Sequence, residues 1–463
     1  MKEFTIGEII EAVEGKLLHG SKESRVRGFA IDSREVQENQ MFFCIPGARS
    51  DGHDFIDQVL QKGIKAVAVS DESKVPCRLP DGTNVILVSD TTQALLKLAK
   101  YYLKMLPLKK KIGVTGSVGK TSTRDFVYYV SSVRYKTGRN KRNFNSAVGL
   151  PLSVLEFDED TEIAVLEMGM DTFGEIEELA DVVRPDIAII TRIAEVNIES
   201  MKNLDNILKA KMEITTFFDE NSTLIVNSSC PMLSPERVKG QYNLVTVGDS
   251  GKENYIVSDI CDFGDKGIKY NLSRNDKKWE IALPTAGAHN AFNASLALAA
   301  GELIGISPEE GKKGLMEASL TGKRLKVAQG SGVKVIDDTY NACGDSVKSA
   351  LDTLAAAEGK RKVAILGDIL GLADRSEAVH MDAGRHAADC GVDLLIAVGN
   401  EARFYAMGAR ESMNHGKVKV MYFGEKKEFI EKKDEIIKKG DVILVKASRG
   451  MEMEEIVNNI LEG

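Results

Sequence analysis

The first hundred residues alternate between short apolar runs and amphipathic stretches, which predicts a mixed α/β region. MFFCI (41–45) is a continuous apolar run of the kind that forms a buried strand. Between residues 93 and 106, apolar side chains recur at helical spacing. The side chains that would share this helical stripe are Leu95, Leu98, Tyr102 and Leu106. Pro107 interrupts the pattern, and the polar stretch LKKK (108–111) predicts a hinge, so we expect a first domain over residues 1–108.

From residue 109 onward, short apolar strands alternate with helices. The predicted strands are KIGVT (111–115), IAVLEM (163–168), IAIITRI (187–193) and TLIVN (223–227). Continuous apolar strands with helices between them are typical of a parallel sheet that is covered on both faces. Residues 240–283 change to short alternating segments with polar turns, which predicts a small antiparallel insert. We expect this second domain to span residues 109–322.

The last 140 or so residues repeat the alternation of strands and helices. The predicted strands are KVIDD (334–338), VAILGD (363–368), LLIAVG (394–399) and VILVKAS (442–448). This pattern predicts a second doubly wound, Rossmann-like sheet over residues 323–463. The segment contains no GxGxxG sequence, so nothing in it supports dinucleotide binding.

Composition narrows the class of protein. The 463 residues include 61 Lys and Arg against 69 Asp and Glu, and the net charge of −8 argues against a nucleic-acid partner or an anionic membrane surface. Hydrophobic residues at 43% with 28% charged residues are typical of a globular protein. No run approaches the roughly 18 apolar residues that a membrane span needs. The six cysteines form no CxxC pair, which favours buried, reduced thiols in a cytoplasmic protein.

The strongest local motif is a glycine-containing loop between a predicted strand and a predicted helix. Its members are Thr115, Gly116, Ser117, Val118, Gly119, Lys120, Thr121 and Ser122. Such a loop presents backbone N–H groups and a helix N-terminus to a phosphate, with the lysine reaching the terminal phosphates and the threonine hydroxyl ligating Mg²⁺. Val114 stands where the usual first glycine would be. The alternative is a glycine turn that binds nothing.

Other polar residues near strand ends are weaker candidates. Glu167 ends an apolar strand, where it is either a Mg²⁺ ligand or a solvated loop residue. Lys211 lies on a charged helix, and from its position alone a surface lysine is the simpler interpretation. Asp337 and Asp338 close another strand, where they would bind a ribose hydroxyl or a substrate amine, or else cap a turn. The basic end of the last predicted strand would clamp an anionic substrate or form a solvated turn. It comprises Lys446, Ser448 and Arg449.

Taken in order, these segments resemble the Mur ligase family over nearly the whole chain. The motifs that carry the resemblance are IDSR (31–34), MFFCIPG (41–47), DGHDFI (51–56), TGSVGKTST (115–123), NFNSAVGLP (143–151), LEMGM (166–170), GEIEEL (174–179), AKMEI (210–214), PTAGAHNAFNA (284–294), Arg324, IDDTYNA (336–342), LGD (366–368), His380 and VKASRG (445–450). The resemblance implies three domains: an N-terminal UDP-substrate domain, a central P-loop ATPase-like domain, and a Rossmann-like ligase domain. The DDxYNA string favours the family members that join D-alanyl-D-alanine to a UDP-N-acetylmuramoyl-tripeptide.

The resemblance also implies roles for individual residues. The resemblance implies that ATP and two Mg²⁺ ions are bound, with Thr121 and Glu167 as metal ligands. It places a carbamylated lysine at Lys211 and a metal-centre residue at Asn197. The expected nucleotide contacts are Asn145, His289, Asn290, Asn293, Arg324 and Asp338, besides the loop itself. Ser33 and Arg34 would contact the UDP-sugar, and Lys446, Ser448 and Arg449 would hold the peptide end. Asp338 and Asn341 would serve either the nucleotide ribose or the dipeptide. We expect a cytoplasmic monomer that acts on small molecules.

Several positions depart from the family pattern. Arg192 stands for Asn, Ala194 for Gly, and Asn197 for a His near the metal centre. An Asn offers a carbonyl oxygen to Mg²⁺ but no imidazole. Further replacements are Ser146, Cys343, Gly344, Gly371 and Ala447. They leave two alternatives open, namely a divergent Mur-type amide ligase with a different carboxylate and amine, and an inactive nucleotide-binding homologue.

Overall fold

The fold is described from a computed structural model, for residues 2–47, 50–196, 198–413 and 415–462. The elements of the first hundred residues are β1 (Phe4–Thr5), α1 (Ile6–Val13), β2 (Lys16–His19), β3 (Arg25–Val26), β4 (Phe29–Ala30), β5 (Met41–Phe43), α2 (Ile56–Gln61), β6 (Ala66–Val69), β7 (Asn84–Leu87) and α3 (Thr91–Met105). The predicted stripe on α3 is confirmed, because all four of its apolar side chains are buried.

The middle of the chain follows the predicted alternation. Its elements are β8 (Lys110–Thr115), α4 (Lys120–Ser132), β9 (Thr137–Arg139), α5 (Gly149–Leu155), β10 (Ile163–Glu167), α6 (Glu175–Val183), β11 (Ile187–Ile190), α7 (Ile198–Met201), α8 (Leu204–Met212), β12 (Thr223–Asn227), α9 (Pro235–Val238), β13 (Asn243–Gly248), β14 (Tyr255–Asp262), β15 (Ile268–Arg274), β16 (Lys277–Leu283), α10 (Asn290–Leu303) and α11 (Pro308–Met316). The polar LKKK stretch is not wholly a hinge, because Lys110 and Lys111 already belong to β8.

The remaining elements form the C-terminal sheet and its helices. They are β17 (Lys326–Gly330), β18 (Val333–Asp338), α12 (Gly344–Ala356), β19 (Arg361–Gly367), α13 (Ser376–Asp389), β20 (Leu394–Val398), α14 (Arg403–Glu411), β21 (Lys419–Phe423), α15 (Lys426–Ile436), β22 (Asp441–Lys446) and α16 (Glu454–Glu462). No helix of the described chain is long and apolar enough to cross a bilayer.

The chain divides into two compact units. The first comprises Met1–Thr115, Arg134–Ala188 and Glu213–Thr223, and the second comprises Gly116–Val133, Ile189–Met212 and Leu224–Gly463. Both units contain mostly parallel sheets, which agrees with the predicted α/β fold class. The domain boundaries at residues 108 and 322 stay predictions.

The first unit contains a five-stranded sheet with the order β2-β7-β6-β5-β4. All neighbours run parallel except β2 and β7. The inner strands β5 and β6 are continuously apolar and buried, as in a sheet covered on both faces, whereas the edge strand β2 is exposed at both of its ends. In the same unit β10 lies between β8 and β9, parallel to both, and it ends at Glu167. This places the glutamate at the carboxyl edge of a parallel sheet.

The second unit contains the predicted insert, with one correction. Strands β14, β15 and β16 are antiparallel neighbours, but β13 pairs with β14 in parallel. The insert is therefore mixed. In the same unit, α10 and α11 pack on α4. The sequence predicts that Phe126, Val130 and Val133 face inward; Phe126 and Val130 are buried, but the prediction was wrong for Val133, which follows the end of the helix and is 39% exposed.

The C-terminal sheet has the order β17-β18-β22-β19-β20-β21. It is parallel apart from the β17–β18 pair, and buried apolar side chains cover both faces. The sequence pattern predicted the four inner strands and missed the two at the edges. Edge strands are exposed on one side, so β17 (KVAQG) carries little of the apolar signal that identified its neighbours.

The expectation of buried cysteines holds only in part. Cys44, Cys230 and Cys343 are buried, whereas Cys77 and Cys261 are exposed and Cys390 is partly exposed. All six are free thiols. The prediction of uniform burial was wrong, because a reduced cysteine is small and polar enough to lie at a surface turn or on an edge strand.

Candidate functional site

The glycine loop reaches the N-terminus of α4 in a conformation that requires glycine. Gly116 has φ +145° and Gly119 has φ +86°. A Cβ atom on Gly116 would lie 2.1 Å from Thr191 Oγ1, and one on Gly119 would lie 2.8 Å from Asn293 Oδ1. No side chain caps the first N–H groups of α4. An uncapped helix N-terminus after a glycine loop is a binding site for phosphate.

A neighbouring segment, residues 191–194, fixes the shape of this loop. Ser117 donates from its backbone N–H to the Arg192 carbonyl (2.7 Å) and from its hydroxyl to the Ala194 carbonyl (3.0 Å). Thr191 Oγ1 donates to the Val118 carbonyl (2.6 Å). Sequence reasoning missed Thr191 as a supporting residue; its position directly after β11 is the signal that could have found it.

Two cations lie over the loop and the start of α4. Lys120 Nζ donates to the carbonyls of Gly116 (2.9 Å) and Ser117 (3.1 Å). Arg324 Nη2 donates to Thr121 Oγ1 (3.0 Å), and its guanidinium lies over the Tyr340 ring. Arg324 Nε is buried without a hydrogen-bond partner among the described residues. A buried, unsatisfied donor is costly, and a phosphate oxygen would satisfy it.

The start of α10 supplies the predicted adenine-side residues. Asn290 and Asn293 are buried, and Asn293 Nδ2 donates to Asn290 Oδ1 (3.0 Å), while Asn290 Nδ2 donates to the Ala286 carbonyl (2.7 Å). His289 is exposed, and its Nδ1 is 2.7 Å from Ser349 Oγ on α12. Ser122 lies buried on α4. Asn293 therefore packs against the loop at Gly119, and His289 is exposed.

At the end of β22, Lys446 forms a buried ion pair. Lys446 Nζ is 2.6 Å from Asp338 Oδ2 and 2.9 Å from the Asn341 carbonyl, and the Lys446 side chain is 3% exposed. The alternative of a solvated basic turn is therefore wrong for this lysine. Asp338 Oδ1 also accepts the Leu325 N–H (3.3 Å). These contacts bring three predicted site residues together: Asp338, Asn341 and Lys446.

Ser448 and Arg449 separate after the strand. Ser448 Oγ accepts the Leu370 N–H (2.9 Å), and its own N–H donates to the Asp368 carbonyl (3.0 Å). Arg449 is exposed and pairs with Glu454 at 2.9 Å. Ser448 thus holds the loop after β19, while Arg449 alone of the pair is accessible to a ligand.

His380 holds the same loop from the other side. Its Nε2 accepts the Ile369 N–H (3.0 Å), and Nδ1 donates to the Ser376 carbonyl (2.7 Å), which requires the neutral imidazole. Burial lowers the pKa of His380, and burial raises the pKa of the neighbouring Asp368 carboxyl. The loop exposes Leu370.

In the first unit, Glu167 is held at the carboxyl edge of β10. Asn145 Nδ2 donates to Glu167 Oε1 (2.8 Å), and Asn140 brackets the Glu167 backbone by accepting its N–H (2.9 Å) and donating to its carbonyl (2.9 Å). Glu167 is 1% exposed, so the alternative of a solvated loop residue is wrong. Thr115 Oγ1 donates to the Met168 carbonyl (2.8 Å). The sequence offered no signal for Asn140, which follows β9.

The predicted UDP-contact residues lie in the N-terminal sheet region. Arg34 is exposed and pairs with Asp32 at 2.6 Å, and this hydrogen-bonded arginine lowers the pKa of Asp32 to about 2. Ser33 is buried, and its carbonyl accepts from Lys62 Nζ (2.6 Å). Ser33 therefore shapes the turn, and Arg34 presents the guanidinium.

Lys211 and Asn197 are the two remaining residues predicted at the metal centre. Lys211 lies in the last turn of α8 and is 3% exposed, so the interpretation as a surface lysine is wrong. Asn197 lies outside the described residues. The grouping of Thr121, Glu167 and Lys211 around a metal stays a prediction.

P-loop enzymes with an α/β fold bind nucleotides with the same arrangement: a glycine loop at an uncapped helix N-terminus, with a lysine over it and a buried arginine beside it. Comparison with protein families gives three matches in chain order: the Mur ligase family, catalytic domain (residues 25–103), the Mur ligase middle domain (114–301), and the Mur ligase, glutamate ligase domain (323–449).

Full-length relatives and solved structures agree with these matches. UDP-N-acetylmuramoyl-tripeptide–D-alanyl-D-alanine ligase of Bacillus subtilis (strain 168) is 37% identical over 99% of this chain and 98% of its own. The Escherichia coli (strain K12) protein of the same name is 27% identical over 99% and 98%. MurF from Acinetobacter baumannii superposes with a TM-score of 0.89 at 27% identity, covering 100% of both chains. MurF ligase from Thermotoga maritima in complex with ADP gives 0.81 at 26% identity over 94% and 97%. The chain belongs to the Mur ligase family.

Proposed function

We propose that this protein joins D-alanyl-D-alanine to a UDP-N-acetylmuramoyl-tripeptide at the expense of ATP, giving the UDP-linked pentapeptide precursor of peptidoglycan, ADP and phosphate. The observation that carries the proposal is the 37% identity to a ligase of that name over essentially the full length of both chains. Neither alternative, a different substrate pair or an inactive homologue, is favoured by any of the relatives described.

The reaction would proceed in two stages. The terminal carboxylate of the tripeptide attacks the γ-phosphorus of ATP, the bond to ADP breaks, and an acyl phosphate forms. The amine of the dipeptide then displaces phosphate and loses a proton. Such transfers depend mainly on positioning and on neutralising charge on the phosphoryl group.

The residues of the glycine loop fit this task. The uncapped N–H groups of α4 and the Lys120 ammonium would hold the phosphates, and Arg324 would donate its unsatisfied Nε–H to a phosphate oxygen. Mg²⁺ prefers oxygen ligands, and the Thr121 hydroxyl and the Glu167 carboxylate are the donors that we assign to it. When bound, the metal would neutralise charge between the phosphates. Asn145 would orient the Glu167 carboxylate through their hydrogen bond.

We also propose that Lys211 is carbamylated. A lysine amine is a poor Mg²⁺ ligand, whereas its carbamate presents two carboxylate oxygens, and Lys211 is buried in the last turn of α8. Peptide mass spectrometry after trapping with an alkylating agent should show the alkyl ester of an added carboxyl group on the peptide that contains Lys211. If trapping in the presence of bicarbonate leaves this lysine unmodified, the carbamate is excluded.

The substrate contacts divide between the two units. We assign Ser33 and Arg34 to the UDP-sugar, and Asn341, Lys446, Ser448 and Arg449 to the peptide end. Of these, Arg34 and Arg449 are the exposed cations that a carboxylate or diphosphate would meet directly. Ser33, Lys446 and Ser448 would act through the backbone and side chains that they hold. A monomeric state and a cytoplasmic location stay predictions from the sequence.

The decisive experiment measures phosphate release from ATP with UDP-N-acetylmuramoyl-tripeptide, with and without D-alanyl-D-alanine. We expect release that requires both substrates, with the pentapeptide product seen by mass spectrometry. A Lys120→Ala variant should abolish release. Release with another acceptor or amine only would establish a divergent ligase, and ATP binding without release under any pairing would establish an inactive homologue.

A further inference from the structure

One turn beyond the glycine loop, α4 carries two adjacent charged residues with no exposed surface. Arg124 and Asp125 are both 0% exposed. Arg124 donates to Asp125 Oδ1 from Nη2 (2.6 Å) and from Nε (3.0 Å). Burying an ion pair is costly and adds little net stability compared with apolar residues of the same size. We therefore expect the buried Arg124–Asp125 pair to have a role other than stability.

Both members of the pair bind the same residue, Thr321. Asp125 Oδ2 accepts the Thr321 backbone N–H (2.6 Å), and Arg124 Nη2 donates to Thr321 Oγ1 (3.0 Å). Thr321 begins the segment 321–325, which we call the strap. The strap connects the helical end of the central region, after α11, to the first strand of the C-terminal sheet, β17.

The strap runs along α4 and carries Arg324 to the phosphate site. Asp125 lies four residues after Thr121, so the two side chains share one face of the helix, separated by about 6 Å along its axis. The Thr321 N–H donates to Asp125, and Arg324 donates to Thr121 Oγ1, one turn nearer the start of the helix. At its far end the strap is held by the bond from the Leu325 N–H to Asp338. Positive φ at Gly322 and Leu325 sets its bends.

We propose that Asp125, oriented by Arg124, is a positioning residue for the reaction, which fixes the strap on α4 so that Arg324 meets the transferred phosphoryl group. The inference rests on the proposed function and adds a residue that acts only through Arg324. Because the strap is tied at both ends, loss of the Asp125 tie would leave Arg324 in place on average but less well positioned. Charge stabilisation of the transition state is sensitive to such misplacement.

The test uses the full-length enzyme and the variants Asp125→Asn, Arg324→Lys and their combination. We expect D125N to lower kcat at least tenfold while the KM for the UDP-linked substrate changes less than twofold. R324K should have a similar effect, and the double variant should be no more than about twofold slower than R324K alone, because both changes remove the same interaction. Losses that multiply in the double variant would overturn the proposal.

A matched control separates positioning from general stability. The buried Asp441 pairs with Arg361 (2.6 Å), whose side chain is 25% exposed, in the C-terminal sheet, and no described contact links this pair to the strap. D441N should lower thermal stability and leave kcat within about twofold of the wild type. If D125N fails to fold, the double change Arg124→Gln with Asp125→Asn avoids an unpaired buried charge and takes its place. Equal kcat in the D125N and D441N variants would refute the positioning role.

A second readout does not depend on activity. Amide hydrogen exchange of the peptide covering residues 318–326, measured without substrates, should be at least tenfold faster in D125N and unchanged in D441N. If the wild type releases no phosphate, the proposed function fails, and this exchange still decides whether Asp125 holds the strap. Unchanged exchange in D125N would overturn the inference.

Discussion

Replacing Lys446 with methionine isolates the buried ion pair at the end of β22. The Lys446 and Asp338 side chains are 3% and 12% exposed, and 2.6 Å separates Nζ from Oδ2. Methionine keeps most of the volume but removes the charge. Breaking a buried pair by removing one partner costs about 3–5 kcal/mol, because the remaining charge is left uncompensated. In a region of roughly 140 residues this corresponds to a fall in Tm of about 10 °C.

The assay is a double-mutant cycle on the free energy of unfolding. K446M and Asp338→Asn are measured singly and together by urea denaturation, with fluorescence and far-UV circular dichroism followed in parallel. The double variant leaves no unpaired charge, so it should recover at least about 2 kcal/mol relative to the sum of the single losses. A coupling energy near zero, with each single variant losing less than about 1 kcal/mol, would refute the reasoning, because that is the behaviour of a solvent-screened surface pair.

Gly116→Ala places a Cβ 2.1 Å from Thr191 Oγ1 at φ +145°, so we expect at least a tenfold loss of ATP affinity by calorimetry. The control, Gly251→Ala, at φ +84° with open space around it, should leave the ATP affinity unchanged. Equal affinities in both variants would contradict the packing argument. Folding lowers the pKa of His380 from its ordinary 6.5, so the neutral form stabilises the fold above pH 6.5, and this contribution is lost as the pH falls, since the unfolded chain takes the proton first. His380→Gln keeps an acceptor for the Ile369 N–H without titrating, and its Tm should fall less than that of the wild type between pH 7 and pH 5; parallel curves would exclude His380 as the cause. Asn140→Ala removes both bonds to the Glu167 backbone, so we expect a raised Mg²⁺ requirement in the phosphate-release assay, whereas an unchanged requirement would show that Glu167 is held by other contacts.

The sequence predicted the inner strands well because their signal is local. Runs such as TLIVN have a continuous apolar centre, and β12 coincides with the predicted residues 223–227. The edge strand β17 (KVAQG) lacks that signal, whereas β21 (KVMYF) carries an apolar run that the prediction missed. The parallel pairing of β13 with β14 depends on contacts that no local pattern records. The sequence motifs and their order along the chain also led to the prediction of the glycine loop and Lys446 as site residues.

The partners of the site residues could not be predicted in the same way. The bond from Asn140 to Glu167 joins residues 27 positions apart, and the tie from Asp125 to Thr321 spans 196. Both connections arise only when the chain folds back on itself. The sequence likewise left the surface interpretation of Lys211 open, because a lysine near other charges on a short helix is usually exposed, and only tertiary packing buries this one.

The segment 191–194 supports the glycine loop largely through main-chain carbonyls, which any residue can supply. The carbonyls of Arg192 and Ala194 accept the hydrogen bonds from Ser117, so the side chains at these two positions take no part in those bonds. The Arg192 side chain turns instead to Asp345 at the start of α12 (3.1 Å). Because Arg192 is partly exposed, a library randomised at position 192 should keep nucleotide affinity while it explores new contacts with the C-terminal sheet region. Ala194 is buried, so larger side chains at that position should be tolerated less well. The replacement of Asn by Arg192 therefore leaves the carbonyl contacts of the glycine loop intact.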